Sequence, residues 1–198
     1  MMDTCIDYSE QVETLLKEVI VSDTDREILK TFGTIKELKK GELFLEKFAP
    51  SNKFGFIIKG SIYSYDIDKS GEKRVTGFYF PPNKNTLIDY QSYINEEAIS
   101  QWYECFEDTV MISFSNVRFN ELLAKAPNLI VVRVKFAEER YFDSLNTIKL
   151  LQAKNAADKV KELMQQSPNI FKIFPYSYIA SYLGMHRNTY RRILARIT

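Results

Sequence analysis

The sequence predicts an α+β chain: a β-rich sandwich or barrel first, then a long helix, then a helix-turn-helix. Three observations carry this. From Ile35 to Phe114 the apolar residues come in short aromatic and β-branched runs, cut by Gly, Pro and an Asp68-Lys69-Ser70-Gly71 turn, which is the pattern of short strands. From Asn128 to Leu151 the apolar residues recur at helical spacing. Pro175 to Thr198, PYSYIASYLGMHRNTYRRILARIT, reads as two short helices hinged at Gly184.

Taken in order, residues 8 to 32 read as helix. Val12, Leu15, Leu16 and Val19 share a face, and Ser22-Asp23-Thr24-Asp25 offers a second helix start ahead of Ile28 and Phe32. In the β portion, Lys59-Gly60-Ser61 marks a bend between two strands, and Asp68 to Gly71 is a hairpin turn between Ile62–Ile67 and Lys73–Phe80. Pro81-Pro82-Asn83-Lys84-Asn85 stops the sheet, and a short helix is expected around Tyr90–Asn95. Trp102–Phe106 and Val110–Phe114 read as a second hairpin over Glu107-Asp108-Thr109. Ser115 can N-cap a helix carrying Arg118, Phe119, Leu122 and Leu123 before Pro127. In the long helix, Ile130, Val134, Ala137, Tyr141, Ser144, Ile148 and Leu151 form a heptad seam, the signature of a parallel dimer interface. The plainer alternative is that this face packs on its own barrel. Asn155 to Gln166 is a further amphipathic helix, with Ala156, Val160, Leu163 and Met164 inward and Ser167-Pro168-Asn169 as its break.

Composition narrows the function classes. A chain of 198 residues that is 45% hydrophobic and 27% charged is an ordinary globular protein of one or two domains. Its net charge of +1 hides an asymmetry: after Glu162 there is no acidic residue, but there are Lys172, Arg187, Arg191, Arg192 and Arg196. A basic tail on an acidic body points to a polyanionic partner for the tail. Cys5 and Cys105 make neither a disulfide framework nor an iron–sulfur cluster, which needs about four thiolates. The first apolar stretch is interrupted by Asp3, Asp7, Glu10 and Glu13, and no run approaches the ~18 apolar residues of a membrane span. A cytoplasmic protein without a membrane segment is expected.

The C-terminal stretch carries the functional reading. At ~100° per residue, Arg187, Asn188, Arg191 and Arg192 fall within one arc of the last helix, and Tyr190, Ile193, Leu194 and Ile197 on the opposite arc. An anchored apolar face opposite a guanidinium-rich one is the design of a recognition helix. The bland alternative is a C-terminal amphipathic helix with a solvated basic face. The complete pattern of helix, Gly turn and helix is more specific than the arginines alone.

The stretches KKGELFLEKF, FIIKGSIYSYDIDKSGEKRV, LIDYQSYINE, ECFEDTVMISFS and YIASYLGMHRNTYRRI, in this order, resemble a Crp/Fnr-type bacterial transcription regulator over nearly the whole chain. The resemblance implies a double-stranded β-helix, or jelly-roll, effector barrel of the cyclic-nucleotide-binding type over residues 1–115. It implies a dimerisation helix over 116–151 and a helix-turn-helix over 152–198. The sequence stops at Thr198, so a winged-helix-like domain without a clear wing is expected. The implied partners are double-stranded DNA and a second copy of the chain. By the same resemblance, Arg187, Asn188 and Arg192 hold the positions that reach base edges, Arg being suited to guanine and Asn to adenine. Tyr176, Ser177 and Thr189 match phosphate contacts, and Arg191 joins them, although the best-known members carry a small residue there. Asn188 departs from the family's usual acidic residue. His186 stands where Ser or Thr usually caps the recognition helix; an imidazole caps poorly, so Asn188 or water is expected to hold that turn.

The effector end departs further. Ile88-Asp89 aligns with the Gly-Glu pair of cyclic-nucleotide binders, and Ile99-Ser100 with their phosphate-binding Arg-Ser. Asp89 could accept from a ribose hydroxyl, and Asp89 and Ser100 are the candidate pocket residues. Ile99 cannot neutralise a phosphate, and no arginine lies between Arg74 and Arg118; Lys84 is the nearest cation. Burying an uncompensated phosphodiester costs at least several kcal/mol, so a small-molecule effector, if one binds, is expected not to be cyclic AMP. Tyr79, Tyr90, Tyr93, Trp102 and Tyr103 suggest an aromatic pocket or plug. The single histidine, His186, lies in the helix-turn-helix, which argues against barrel haem, a cupin-like metal centre and a Ser-His-Asp triad alike. No enzyme, metal site or cofactor is expected. The contrasting reading is a small-ligand-binding or protein-interaction module with a vestigial helix-turn-helix.

Overall fold

The structure is a computed structural model and describes residues 22–50, 52–82 and 84–197. The helix face from Val12 to Val19 and Cys5 lie outside the described residues. The strands, in chain order, are β1 (Thr34–Leu38), β2 (Leu43–Leu45), β3 (Lys53–Lys59), β4 (Ile62–Ile67), β5 (Lys73–Tyr79), β6 (Thr86–Leu87), β7 (Trp102–Cys105) and β8 (Thr109–Ser115). The described helices are α1 (Asp23–Phe32), α2 (Tyr90–Asn95), α3 (Asn116–Lys125), α4 (Ile130–Gln152), α5 (Ala156–Gln166), α6 (Ile170–Ile173), α7 (Tyr176–Tyr182) and α8 (Arg187–Ile197). The chain divides into two compact units, one of residues 1–62 and 79–137, the other of 63–78 and 138–198.

In the first unit an antiparallel sheet runs β1-β8-β3-β6. Alternation of side chains along its central strands builds two cores. Phe54 and Phe56 of β3, with Ile112 and Phe114 of β8, face a helical layer that includes Phe119, Leu122, Val132 and Phe136. Ile57, next after Phe56, and Met111, next before Ile112, point the other way, into the roll, where they meet Phe44, Leu45, Leu87, Tyr79, Tyr103 and Cys105. Gly60, at the bend between β3 and β4, has φ +91°, and a Cβ there would lie 2.5 Å from the Asp108 carbonyl oxygen, so only glycine fits. The helix starts follow their caps: Ser22 Oγ accepts from the Asp25 amide at 3.1 Å, and Ser115 Oγ from the Arg118 amide at 3.2 Å. These are the expected jelly-roll strands and flanking helices. One expectation fails: β7 and β8 are not a hairpin. β7 pairs with β2, whereas β8 lies between β1 and β3, because the chain crosses from one sheet of the roll to the other between β7 and β8. The two-residue β6 beyond the proline stop, and the short α6, were also not expected.

In the second unit, β4 and β5 form the expected hairpin. Its turn closes by Asp68 N–H to the Glu72 carbonyl and Gly71 N–H to the Asp68 carbonyl, both at 3.0 Å. Asn155 Oδ1 caps α5 by accepting from the Asp158 amide at 3.0 Å. Val160, Leu163, Ile170, Phe174, Ile179, Ala180, Leu183 and Tyr190 are buried. α7 ends in the left-handed Gly184, φ +67°, with the Met185 amide donating to the Ala180 carbonyl and the Gly184 amide to that of Ser181, each at 3.0 Å. This closure satisfies carbonyls that the helix end would leave open. α8 begins differently from expectation. His186 itself caps it, its Nδ1 accepting from the Asn188 amide at 3.2 Å. The imidazole does what a serine hydroxyl would, provided that Nδ1 carries no proton.

Two outcomes test this description. Burial pushes the Cys105 thiol up to about 11, so in a Cys5→Ser protein Cys105 is expected to react with a thiol reagent at neutral pH only when denaturant unfolds the chain; rapid labelling of the folded protein contradicts its placement. His186→Ser, which supplies a better cap on a shorter side chain, is expected to raise stability by about 0.5 kcal/mol, and His186→Ala to lower it by a similar amount, read as shifts of the urea midpoint.

Candidate nucleic-acid interface

α8 has two unlike faces. Tyr190 is 0% exposed and meets the Tyr176 ring edge-on at 5.7 Å, and Ile193, Leu194 and Ile197 are half-buried beside it. Arg187, Asn188, Arg191 and Arg192 are all exposed. At 1.5 Å of rise per residue, Arg187 and Arg192 stand roughly 7 Å apart along the axis, a spacing of about two base steps. Thr189 is half-buried on the flank between the faces. Tyr176, 51% exposed, and exposed Ser177 lie in the first turn of α7, and Ser177 lines the same cleft as Arg187. The residues expected to touch bases and those expected to touch phosphates thus share one small module. Arg196 in the last turn of α8 sits where the helix dipole favours a cation.

The barrel residues picked from the sequence also meet, but in a different role. Asp89 is 4% exposed and caps α2. Its Oδ1 accepts from the Ser92 amide at 3.2 Å and the Ser92 hydroxyl at 2.9 Å. Its Oδ2 accepts from the Ser100 amide at 2.9 Å and the Ser100 hydroxyl at 2.7 Å. A carboxylate has about four acceptor sites, and all are taken by the chain itself. Tyr79 and Tyr103 are buried, with ring centroids 5.7 Å apart, and fill part of the roll interior. Trp102 lies edge-on to the exposed Phe48. Tyr90 and Tyr93 border a narrow apolar cleft of about 20 Å³ with Phe54, Thr86 and Phe136, room for about one water molecule.

Arg133 is the residue that sequence reasoning missed. It comes from α4, lines that cleft and places its guanidinium 5.5 Å from the Tyr93 ring centre. A search for cations within the strands could not find it, because it reaches the barrel from a later helix. Burial raises the Tyr93 pKa, against the opposing pull of Arg133. Among the described residues no three His, Cys, Asp or Glu side chains could hold a metal ion, and no helix is long and apolar enough to cross a membrane.

The sequence matches no protein-family model. It is similar to the transcriptional activator protein Anr of Pseudomonas aeruginosa, with 23% identity over 172 residues, 81% of this chain and 69% of that protein. Among solved structures it resembles FixK2 from Bradyrhizobium japonicum, with a TM-score of 0.68 at 16% identity over 83% of this chain and 84% of that one. It also resembles the c-di-GMP-responsive global regulator CLP of Xanthomonas campestris, with a TM-score of 0.69 at 12% identity over 89% and 91% of the two chains. With a jelly roll, a long helix and a helix-turn-helix in this order, the chain has the fold of these solved regulators and is similar in sequence to the activator Anr.

Proposed function

We propose that the chain is a sequence-specific DNA-binding regulator, acting in the cytoplasm as a homodimer, that reads its operator with α8. The observation that carries this is the exposed row of Arg187, Asn188 and Arg192 on a helix whose opposite face is anchored by the fully buried Tyr190. Arg187 and Arg192 suit guanine O6 and N7, and Asn188 suits adenine N6 and N7. Tyr176, Ser177, Thr189 and Arg191 would hold the phosphate backbone on either side, fixing the register of the helix in the groove. Residues 152–198 form the DNA-binding part in this reading, 116–151 the dimerisation region and 1–115 the effector barrel.

The dimer reading is supported by α4. Ile130, Val134, Tyr141, Ile148 and Leu151 of the heptad seam are between 43% and 62% exposed, an apolar stripe that a second copy would cover. Two recognition helices would then enter successive major grooves ~34 Å apart on a near-palindromic site. An effector of the barrel would act by shifting the population in which that spacing is met. Such an effector would not bind through Asp89, whose acceptors are occupied within the chain; Arg133 is the cation nearest the Tyr93 cleft among the residues that line it.

Arg192→Ala is expected to weaken binding to a selected operator by ~1–3 kcal/mol and to relax preference at one base position; unchanged affinity and preference contradict the assignment. Affinity for duplex DNA is expected to fall with salt with a log–log slope of about −0.9 per neutralised phosphate. Absence of duplex binding at ~50 mM salt favours the contrasting module with a vestigial helix-turn-helix. Tyr141→Asp with Ile148→Asp is expected to give a monomer in sedimentation; a variant that stays dimeric contradicts the seam.

A further inference from the structure

We propose that Arg196 is a further phosphate contact, and that with Arg191 it clamps the two strands that wall the groove. The proposal rests on the reading of α8 as the helix that enters the major groove. Successive side chains of a helix turn by about 100°, so the buried Tyr190 and the half-buried Ile193, Leu194 and Ile197 mark the inward direction of α8. The line opposite to them passes within about 30° of Asn188, Arg192 and Ala195, all exposed. Arg191 lies about 70° to one side of that line and Arg196 about 70° to the other. Both are exposed. Thr189 stands about 90° from the line on the side of Arg196 and is half-buried there.

The dimensions match a groove. Across a helix of about 10–12 Å diameter, two side chains about 140° apart stand roughly 10 Å from each other. The major groove of B-DNA is about 12 Å wide. With Asn188 and Arg192 aimed at base edges, Arg191 and Arg196 face opposite walls, each the phosphate backbone of a different strand. Thr189 and Arg196 are seven residues apart on one flank, about 10.5 Å of rise, which is about three phosphate steps along one strand. Arg196 thus extends the line that Thr189 begins. Ala195 on the central line offers no hydrogen-bonding side chain, so base reading ends at Arg192 and the last turn contributes through its flank.

Nothing within the chain claims that guanidinium. Arg196 has no hydrogen-bond or ion-pair partner among the described residues, and no acidic residue follows Glu162 in the sequence. A guanidinium presents two parallel N–H groups to a phosphate, a charge-assisted and directional contact. The plain alternative is that Arg196 only complements the dipole at the end of α8. That role acts on the stability of the helix and is indifferent to the salt dependence of DNA binding, so the two readings differ in an observable.

The test is the salt dependence of binding by the full-length protein to the duplex that wild type selects from a random pool. Each neutralised phosphate contributes about 0.9 to the log–log slope, so with one Arg196 per protomer of a dimer, Arg196→Ala is expected to make the slope shallower by about 1.8. Binding at ~0.1 M salt is expected to weaken on the order of tenfold or more. Arg196→Lys, which keeps the charge, is expected to retain most of the slope. Both variants are expected to select the same bases as wild type, because a phosphate contact carries no sequence information. A slope unchanged in Arg196→Ala, a slope lost equally in Arg196→Lys, or an altered base preference overturns the clamp. If Arg196→Ala does not fold, Arg196→Gln takes its place under the same criteria. Arg192→Ala, measured in parallel, separates the two claims. Relaxed base preference there with an unchanged slope in Arg196→Ala keeps the reading of α8 and overturns the clamp; affinity and preference both indifferent to Arg192→Ala overturn the reading and the clamp with it.

Discussion

The working surface of the helix pair depends on how Tyr190 is buried. A fully covered tyrosine ring contributes about 2 kcal/mol of apolar burial, and this one is seated against Tyr176 in a core that also holds Ile179 and Leu183. Burial pushes its hydroxyl pKa up, so it stays neutral. Once that side of α8 is fixed, helical geometry turns Arg187, Asn188, Arg191 and Arg192 outward, where their hydration costs nothing to keep. A guanidinium buried without a partner would be far costlier. The rotational setting of α8, and so which side chains a duplex would meet, follows from one aromatic contact.

The same economy governs the roll. Strict alternation along β3 and β8 sends Phe54, Phe56, Ile112 and Phe114 to the helical layer and Ile57 and Met111 to the interior. A one-residue slip would exchange the two sets, so the register is strongly specified. The interior tyrosines and the self-satisfied Asp89 leave that end of the molecule built more as a solid support than as a polar receptacle. Arg133 reaches it from α4, while Lys53 of β3 lies 5.0 Å from the Phe44 ring centre.

Local signals made much of this legible in the sequence. Ser22, Ser115 and Asn155 announced their helices because capping is a contact between near neighbours. Asp68 to Gly71 announced the hairpin for the same reason, and the amphipathic arc of α8 is a matter of period alone. What the sequence concealed is non-local. Trp102–Cys105 and Thr109–Ser115 look like a hairpin but pair with β2 and with β1 and β3, since partner choice depends on strands some 50 or more residues away. The imidazole cap of His186 was misjudged because propensity ranks residue types, whereas the cap needs only one acceptor in reach. Asp89 looked available because its alignment partner binds ligand; its bonds to Ser100 appear only once the intervening loop is folded.

The central claim is that two copies of α8 read DNA one helical turn apart. Its most direct test is a hydroxyl-radical footprint of the full-length protein on a duplex enriched from a random pool. The account predicts two protected windows related by a two-fold axis, centred about 10 bp apart, on a duplex whose enriched bases fall within those windows. A single window, uniform weak protection along the duplex, or no enrichment over the starting pool contradicts it.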